Sequence, residues 1–229
     1  MPPIFDERVK LVPIGCGKCL ECMKQKARGW QVRLLEELKK GNKAYFVSPT
    51  FSPDWLAHCT KKVLEKANYT GYELDNAVAT YAVRKFLERW RKEYGKSLRH
   101  WLITELGQEE TEHLHLHGIV WTDEPLNKVE KHWKYGTIHK GNKNFVNEKT
   151  VNYIIKYVTK ADSKHKLYKP IILCSKGIGN NYTEQTRHDW KKNKYNGKET
   201  KETYITRSGH KVAMPIYWRN KIYTEENIS

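Results

Sequence analysis

No stretch of the 229-residue sequence approaches the roughly 20 consecutive apolar residues that span a bilayer. The opening Met1-Pro-Pro-Ile-Phe-Asp6 also lacks the apolar centre of a secretory signal. No membrane partner is expected, and the reading is of a protein that stays in a reducing cytoplasm. Cysteine is scarce and odd in number. Three of the five lie in Cys16-Gly-Lys-Cys19-Leu-Glu-Cys22, a spacing that suits a metal or thiols better than a disulfide framework. There is no Gly-x-x-x-x-Gly-Lys-Ser/Thr loop to cradle a nucleotide's phosphates, no internal repeat and no evident linker. Acid is short: 26 Asp and Glu face 42 Lys and Arg, leaving a net charge of +16. A disordered tail is excluded by 38% hydrophobic residues, and a chain this long can bury about 70% of its unfolded surface as one domain with appendages. Eight Trp and fourteen Tyr on so basic a chain point to a polyanion whose bases stack, which is nucleic acid.

The periodicities predict mixed elements. Cys19–Lys40 places Trp30, Leu34, Leu35 and Leu38 at helical spacing and stops at Gly41. Ala44–Phe51 is short, aromatic and β-branched, with Pro49 favouring an edge or bulged strand and Ser52-Pro53-Asp54 closing it. A long helix is expected over Asp75–Tyr94, its apolar face opposed by Arg84, Lys85, Arg89, Arg91 and Lys92. Arg99–Glu105 and Leu114–Trp121 predict an antiparallel hairpin across the polar stretch 107–112. A further helix is expected at Lys149–Lys160, a strand at Pro170–Cys174, a turn-rich loop at Ser175–Asn180 and a weakly structured basic stretch at Lys191–Lys201. The fold class is α+β, an antiparallel central sheet with helices on one of its faces.

Two segments carry chemistry. In Glu112-His113-Leu114-His115-Leu116-His117, a strand's period of two sends three imidazoles to one face, where two of them can chelate one divalent ion. The hairpin brings Glu105 beside that row, giving a His-His-carboxylate set with positions open for substrate oxygen. Two His and one Glu also suit zinc, so a zinc hydrolase shares these ligands, and a solvated row of surface histidines is the plain alternative. The second segment is Val151-Asn-Tyr153-Ile-Ile-Lys156-Tyr157-Val-Thr-Lys160. At about 100° per residue, Tyr153, Lys156, Tyr157 and Lys160 share an arc of about 100°, while Val151, Ile154, Ile155 and Val158 form a separate apolar arc. Two phenols, each followed three residues later by a lysine, can present nucleophiles to phosphates whose charge the ammonium groups offset. A Tyr/Lys helix that binds nucleic acid without covalent chemistry fits the same residues.

Taken in order, the hydrophobic strand, Glu105 with His115-Leu116-His117, and the Tyr-x-x-Lys-Tyr-x-x-Lys helix resemble the HUH endonucleases, specifically rolling-circle replication initiators. Cys16-Gly-Lys-Cys19-Leu-Glu-Cys22 ahead of a basic helix with Arg28 and Trp30, the loop Ser175-Lys-Gly-Ile-Gly179, and Met214-Pro-Ile-Tyr-Trp-Arg-Asn-Lys-Ile-Tyr223 look like the initiators of small single-stranded DNA phages of the microvirus, gokushovirus-like group. The resemblance covers about Cys16 to Tyr223. It implies a ferredoxin- or RRM-like HUH domain over 1–229, with a Cys-containing helical arm at about 1–42 and a basic extension at about 180–229. It makes Glu105, His115 and His117 ligands of a catalytic Mg²⁺ or Mn²⁺, Tyr153 and Tyr157 the nucleophiles, and Lys156 and Lys160 their phosphate-facing partners. His113 falls outside the matched pair and is read as a DNA contact or solvated. Val47-Ser-Pro-Thr50-Phe51 stands where the family carries Thr-Leu-Thr-Tyr, a departure from the pattern.

The implied activity is nicking and rejoining of single-stranded origin DNA through a 5′-phosphotyrosine, with a free 3′-hydroxyl as primer and a host polymerase and helicase as partners, in a bacterial cytoplasm. A plasmid initiator, a transposase, a relaxase or a non-catalytic nucleic-acid-binding protein are the alternatives. Cys16, Cys19 and Cys22 are read as most of a structural zinc site that needs a distant fourth ligand such as His58, Cys59 or Cys174. DNA contacts are sought among Arg84, Lys85, Arg89, Lys140, Lys143 and Lys191–Lys201.

Overall fold

The computed structural model describes residues 15–17, 19–107, 113–140, 146–160, 164–184 and 203–222. In chain order the elements are α1 (Leu20–Leu38), β1 (Ala44–Pro49), α2 (Pro53–Leu64), α3 (Gly71–Tyr94), β2 (Arg99–Leu106), β3 (Leu114–Trp121), α4 (Leu126–His132), β4 (Ile138–Lys140), α5 (Glu148–Thr159), β5 (Ile172–Cys174), β6 (Thr203–Ile205), β7 (Lys211–Ala213) and α6 (Ile216–Ile222). Five strands form an antiparallel sheet in the order β4-β1-β3-β2-β5, and β6 pairs with β7 in a separate hairpin. The α+β class and the central antiparallel sheet are as expected.

The helices lie on both faces of the sheet, which corrects the expectation of one covered face. Residues alternating along β2 and β3 explain why. Leu102, Leu106, Leu114, Leu116 and Val120 pack against Val78, Ala82, Phe86 and Trp90 of α3, with Cys59 and Val63 of α2 and Val129 of α4. Trp101, Ile103, Ile119 and Trp121 point the other way, onto Ala27 and Leu34 of α1 and Val151, Ile154, Ile155 and Val158 of α5. A sheet covered on both sides needs apolar residues at nearly every central position, and His100–Glu105 supplies them around its polar ends. Each of the four buried α5 side chains contributes about 1.5–3 kcal/mol of burial, which is what holds this helix to the sheet.

Gly118 shows how close the central strands run. A Cβ there would lie 2.1 Å from the Trp101 carbonyl oxygen and 2.8 Å from the Leu102 Cα, so only glycine fits directly after His117.

Six of the elements, α2, α4, β4, β6, β7 and α6, are absent from the sequence reading. α2 begins where the chain was expected only to turn: Ser52 accepts from the Trp55 N–H and Pro53 sits in the first turn. α4 and β4 are short, and the β6–β7 hairpin with α6 builds a third small core in which Tyr204, Met214 and Trp218 pack on Val32 of α1. Residues 108–112, Lys143 and Lys191–Lys201 lie outside the described residues.

The end of α1 is tied down by buried carboxylates. Glu37 is fully buried and takes a two-pronged ion pair from Arg99, with Nε at 2.5 Å and Nη2 at 2.7 Å, and the Gly179 N–H at 2.7 Å. Arg99 also donates to the Gly177 carbonyl, so β2, α1 and the loop after β5 meet at one carboxylate. Gly179 adopts φ +75°, and a Cβ there would lie 2.6 Å from the Arg33 carbonyl, which explains the glycine in this turn. Glu36 beside it bonds the Tyr204 hydroxyl and Lys39.

Candidate metal and tyrosine site

The β2–β3 register sets Glu105 directly opposite His115 and Ile103 opposite His117, and all of these project toward α5. Nε2 of His117 lies 2.7 Å and Nε2 of His115 lies 3.1 Å from the same carboxylate oxygen, Oε2 of Glu105. One ligand atom from each residue falls within 4.8 Å of the others. The expected trio is therefore brought together, and His113 stays outside it, its side chain exposed.

The other ring nitrogens are occupied in a way that favours metal ligation. His115 Nδ1 meets the His113 carbonyl at 2.9 Å, and His117 Nδ1 meets the Ser48 hydroxyl at 2.8 Å. Such outer partners fix a ligand imidazole's tautomer and orientation and leave Nε2 free to coordinate. A proton on Nε2 and a divalent cation satisfy the same geometry, so this donor set fits an ion. Ser48 and Phe46 both contact His117 of the candidate site, and the sequence reading missed them. Phe46 meets Tyr153 edge-on at 6.0 Å and lies near-parallel to His117 at 6.2 Å, and β1 pairs with β3 so that both β1 residues share the histidine face. Their alternation along Ala44–Phe51 was the available signal; the pairing partner was not. Thr50 of the same segment bridges to His115.

Ser48→Ala should weaken divalent-ion binding about 10- to 100-fold while leaving the fold intact. Titration calorimetry with Mn²⁺ on the wild-type and variant proteins measures it, and unchanged affinity would remove Ser48 from the site.

α5 delivers the tyrosines. Asn147 caps it through a reciprocal pair of bonds with Thr150, which sets the rotation of the helix from its first turn. The apolar arc is buried as expected, and Tyr153, Lys156, Tyr157 and Lys160 fall on the other arc. Tyr157 lies flat on His117, with ring centroids 4.3 Å apart and planes 18° from parallel. Its hydroxyl is 2.8 Å from that of Tyr153, which is 48% exposed. Lys160 is ion-paired to Oε1 of Glu105, while Lys156 is exposed.

Charges follow from this packing. Burial would push the Glu105 carboxyl up, but bonds from His115, His117 and Lys160 outweigh it and hold the group well below the usual carboxylate range. His115 is raised because the Glu105 partnership outweighs its burial. The Tyr157 phenol is pushed up by burial, then by the bond to Tyr153 and the Glu105 charge. A cation near its oxygen is what would make it reactive.

The remaining sequence candidates lie elsewhere. Arg84, Lys85 and Arg89 belong to α3, on the opposite sheet face. Arg89 is engaged by the His132 carbonyl and the Tyr135 hydroxyl, and Lys85 and Lys140 are paired with Glu88 and Glu130. Cys16, Cys19 and Cys22 do gather, but none of the expected distant ligands joins them. Cys59 is buried among α2 and α3 residues, where its thiol is pushed up to about 11; His58 packs edge-on to Trp55; and Cys174 sits in β5 against the α1–α5 core.

Residues 68–162 match a family whose model is described as replication-associated protein ORF2/G2P. The match covers less than half of the chain, yet it runs from just before α3 to just past α5 and so contains Glu105, His115, His117, Tyr153, Tyr157 and Lys160. This similarity supports a role in replication. No curated protein and no solved structure matches the chain. Among the described residues, no helix is long and apolar enough to cross a membrane.

Proposed function

We propose that the chain is an HUH-type nicking and joining enzyme that initiates rolling-circle replication on single-stranded DNA. The observation that carries this reading is a tyrosine pair joined hydroxyl to hydroxyl, one ring of which, Tyr157, stacks on His117 of a two-histidine, one-carboxylate set. A zinc hydrolase would use the ligands and leave the paired phenols idle, and a binding module would need neither. Glu105, His115 and His117 would hold the ion, Mg²⁺ or Mn²⁺. When bound, it supplies positive charge that polarises the scissile phosphate.

The chain's own residues do the rest. The DNA backbone lies against the exposed side of α5, where Lys156 offsets phosphate charge and Tyr153 and Phe46 offer faces to bases. Tyr157, nearest the ligand set, attacks phosphorus in line; its phenolic proton leaves along the bond to Tyr153 and on to solvent. An Oη–P bond forms as the P–O3′ bond breaks, and the departing 3′ oxygen takes up a proton. The 5′-phosphotyrosine conserves the phosphodiester energy, so rejoining needs no nucleotide, and the freed 3′-hydroxyl serves a host polymerase. Strand separation falls to a host helicase. Tyr153 then stands within reach of the same site for a second exchange.

Incubation with labelled single-stranded oligonucleotides from the replicon of origin and Mn²⁺, with and without EDTA, tests this on a denaturing gel. Protein linked to the 5′ end of a cleavage product, lost with EDTA, is the expected result. Cleavage without linkage would indicate activated water, and binding without cleavage would indicate a binding module.

A further inference from the structure

The first two turns of α1 pose a physical problem. The first buried residue of the helix is Ala27; Leu20 is 58% exposed, and nothing between them is buried. The N-cap, Cys19, makes no side-chain capping bond. Nor does the C-terminal segment clamp this stretch, because a cleft of about 450 Å³ opens between Cys22, Gln25, Lys26 and Gly29 on one side and Met214, Pro215 and Tyr217 on the other. A helix end that, among the described residues, has no buried side chain and no side-chain cap is expected to fray, since an isolated turn is unfavourable in water.

What does converge there is sulfur. The Cys16 and Cys22 Sγ atoms lie 3.9 Å apart and those of Cys19 and Cys22 lie 3.4 Å apart. In a tetrahedral site with Zn–S bonds of about 2.3 Å, ligand sulfurs stand about 3.8 Å from one another. The Cys19 N–H donates to the Cys16 sulfur at 3.2 Å, an arrangement that favours a thiolate, and Gly17, at φ +71°, turns the chain between the two. Gly15 lies so close that a Cβ on it would be 2.9 Å from the Cys22 sulfur. Three thiolates held this near each other repel unless a cation sits between them. Among the described residues, no other His, Cys, Asp or Glu completes the group.

We propose that Cys16, Cys19 and Cys22 bind one zinc ion through three thiolates, with an exchangeable fourth ligand, and that this ion is the clamp on the first two turns of α1. The site is separate from Glu105, His115 and His117 and does not depend on the nicking reading. Three thiolates outweigh the two charges of the ion and blunt its acidity toward water, so its role is to order the chain.

The test uses the full chain and a His115→Ala/His117→Ala variant, which among the described residues leaves the sulfur group as the only candidate metal site. The variant should carry one zinc per chain by elemental analysis. Exchange for Co²⁺ should give thiolate-to-metal charge-transfer bands with the strong visible bands of tetrahedral cobalt. Chelation should release the metal, make three further thiols reactive to a thiol reagent, and remove hydrogen-exchange protection from residues 20–26 while that of α5 persists. Cys16→Ser/Cys19→Ser/Cys22→Ser in the same background should lose the metal and the bands. A folded His variant with no metal and no cobalt–thiolate spectrum would overturn the proposal, as would equal exchange of residues 20–26 with and without chelator.

Discussion

The Tyr153→Phe/Tyr157→Phe protein should bind single-stranded DNA with nearly unchanged affinity and form no covalent adduct. Each substitution removes one oxygen and leaves the ring, so the stack of residue 157 on His117 and the contact of residue 153 with Phe46 survive. The loss in nicking rate should be roughly a thousandfold or more, as expected when a nucleophile is deleted from an otherwise intact site. The single variants divide the work. Tyr157→Phe should account for nearly all of the loss in the first nick, because the Tyr157 ring packs on His117 while Tyr153 is 48% exposed. Tyr153→Phe should lower that step modestly by removing the hydrogen-bond partner 2.8 Å away. Single-turnover kinetics on an origin oligonucleotide separates the two, and an adduct persisting in the double variant would refute the assignment of both tyrosines.

The second large effect is structural. Glu37→Gln should cost about 3 kcal/mol, near the lower end for breaking a buried ion pair, because Arg99 keeps 28% of its side chain in water. For a chain of this size, that corresponds to a fall in Tm of roughly 6–12 °C. It also has a pH signature. Burial pushes the Glu37 carboxyl up, but Arg99, the Gly179 N–H and Lys40 more than offset this and leave it below its ordinary value. A group depressed in the folded state stabilises fully above its unfolded value, about 4.3, and its contribution is lost as pH falls below that. Denaturant unfolding of wild type and variant should therefore differ most above about pH 5 and converge in acid. A constant gap across that range would mean that Glu37 acts through packing rather than charge.

The parts of this architecture legible in the sequence are those whose pattern is local. Leu114–Trp121 and the α5 arcs declare themselves because alternation and 3.6-residue spacing are properties of a single segment. Glu105 could be placed beside the histidines because a hairpin makes neighbours of neighbouring strands. Ser48 could not, since its contact with His117 depends on β1 pairing with β3 across some 70 residues, a choice that no local spacing encodes. The second covered face was hidden for a related reason. The histidines give β3 an amphipathic look, although His117 is packed among Phe46 and Tyr157 and only 13% of its side chain is exposed. The start of α2 was legible in Ser52-Pro53, a capping signal that reads equally as the end of a strand.

The central sheet closes on both sides with strands of only three residues, β4 and β5. Strands that short present few unpaired amides, and Lys140 and His139 in β4 are exposed at one margin. A neighbouring chain therefore finds little backbone on which to extend the ladder, even though the strands between those margins are among the most apolar in the molecule. A basic chain whose central strands are this apolar is thereby guarded against adding to itself edge to edge.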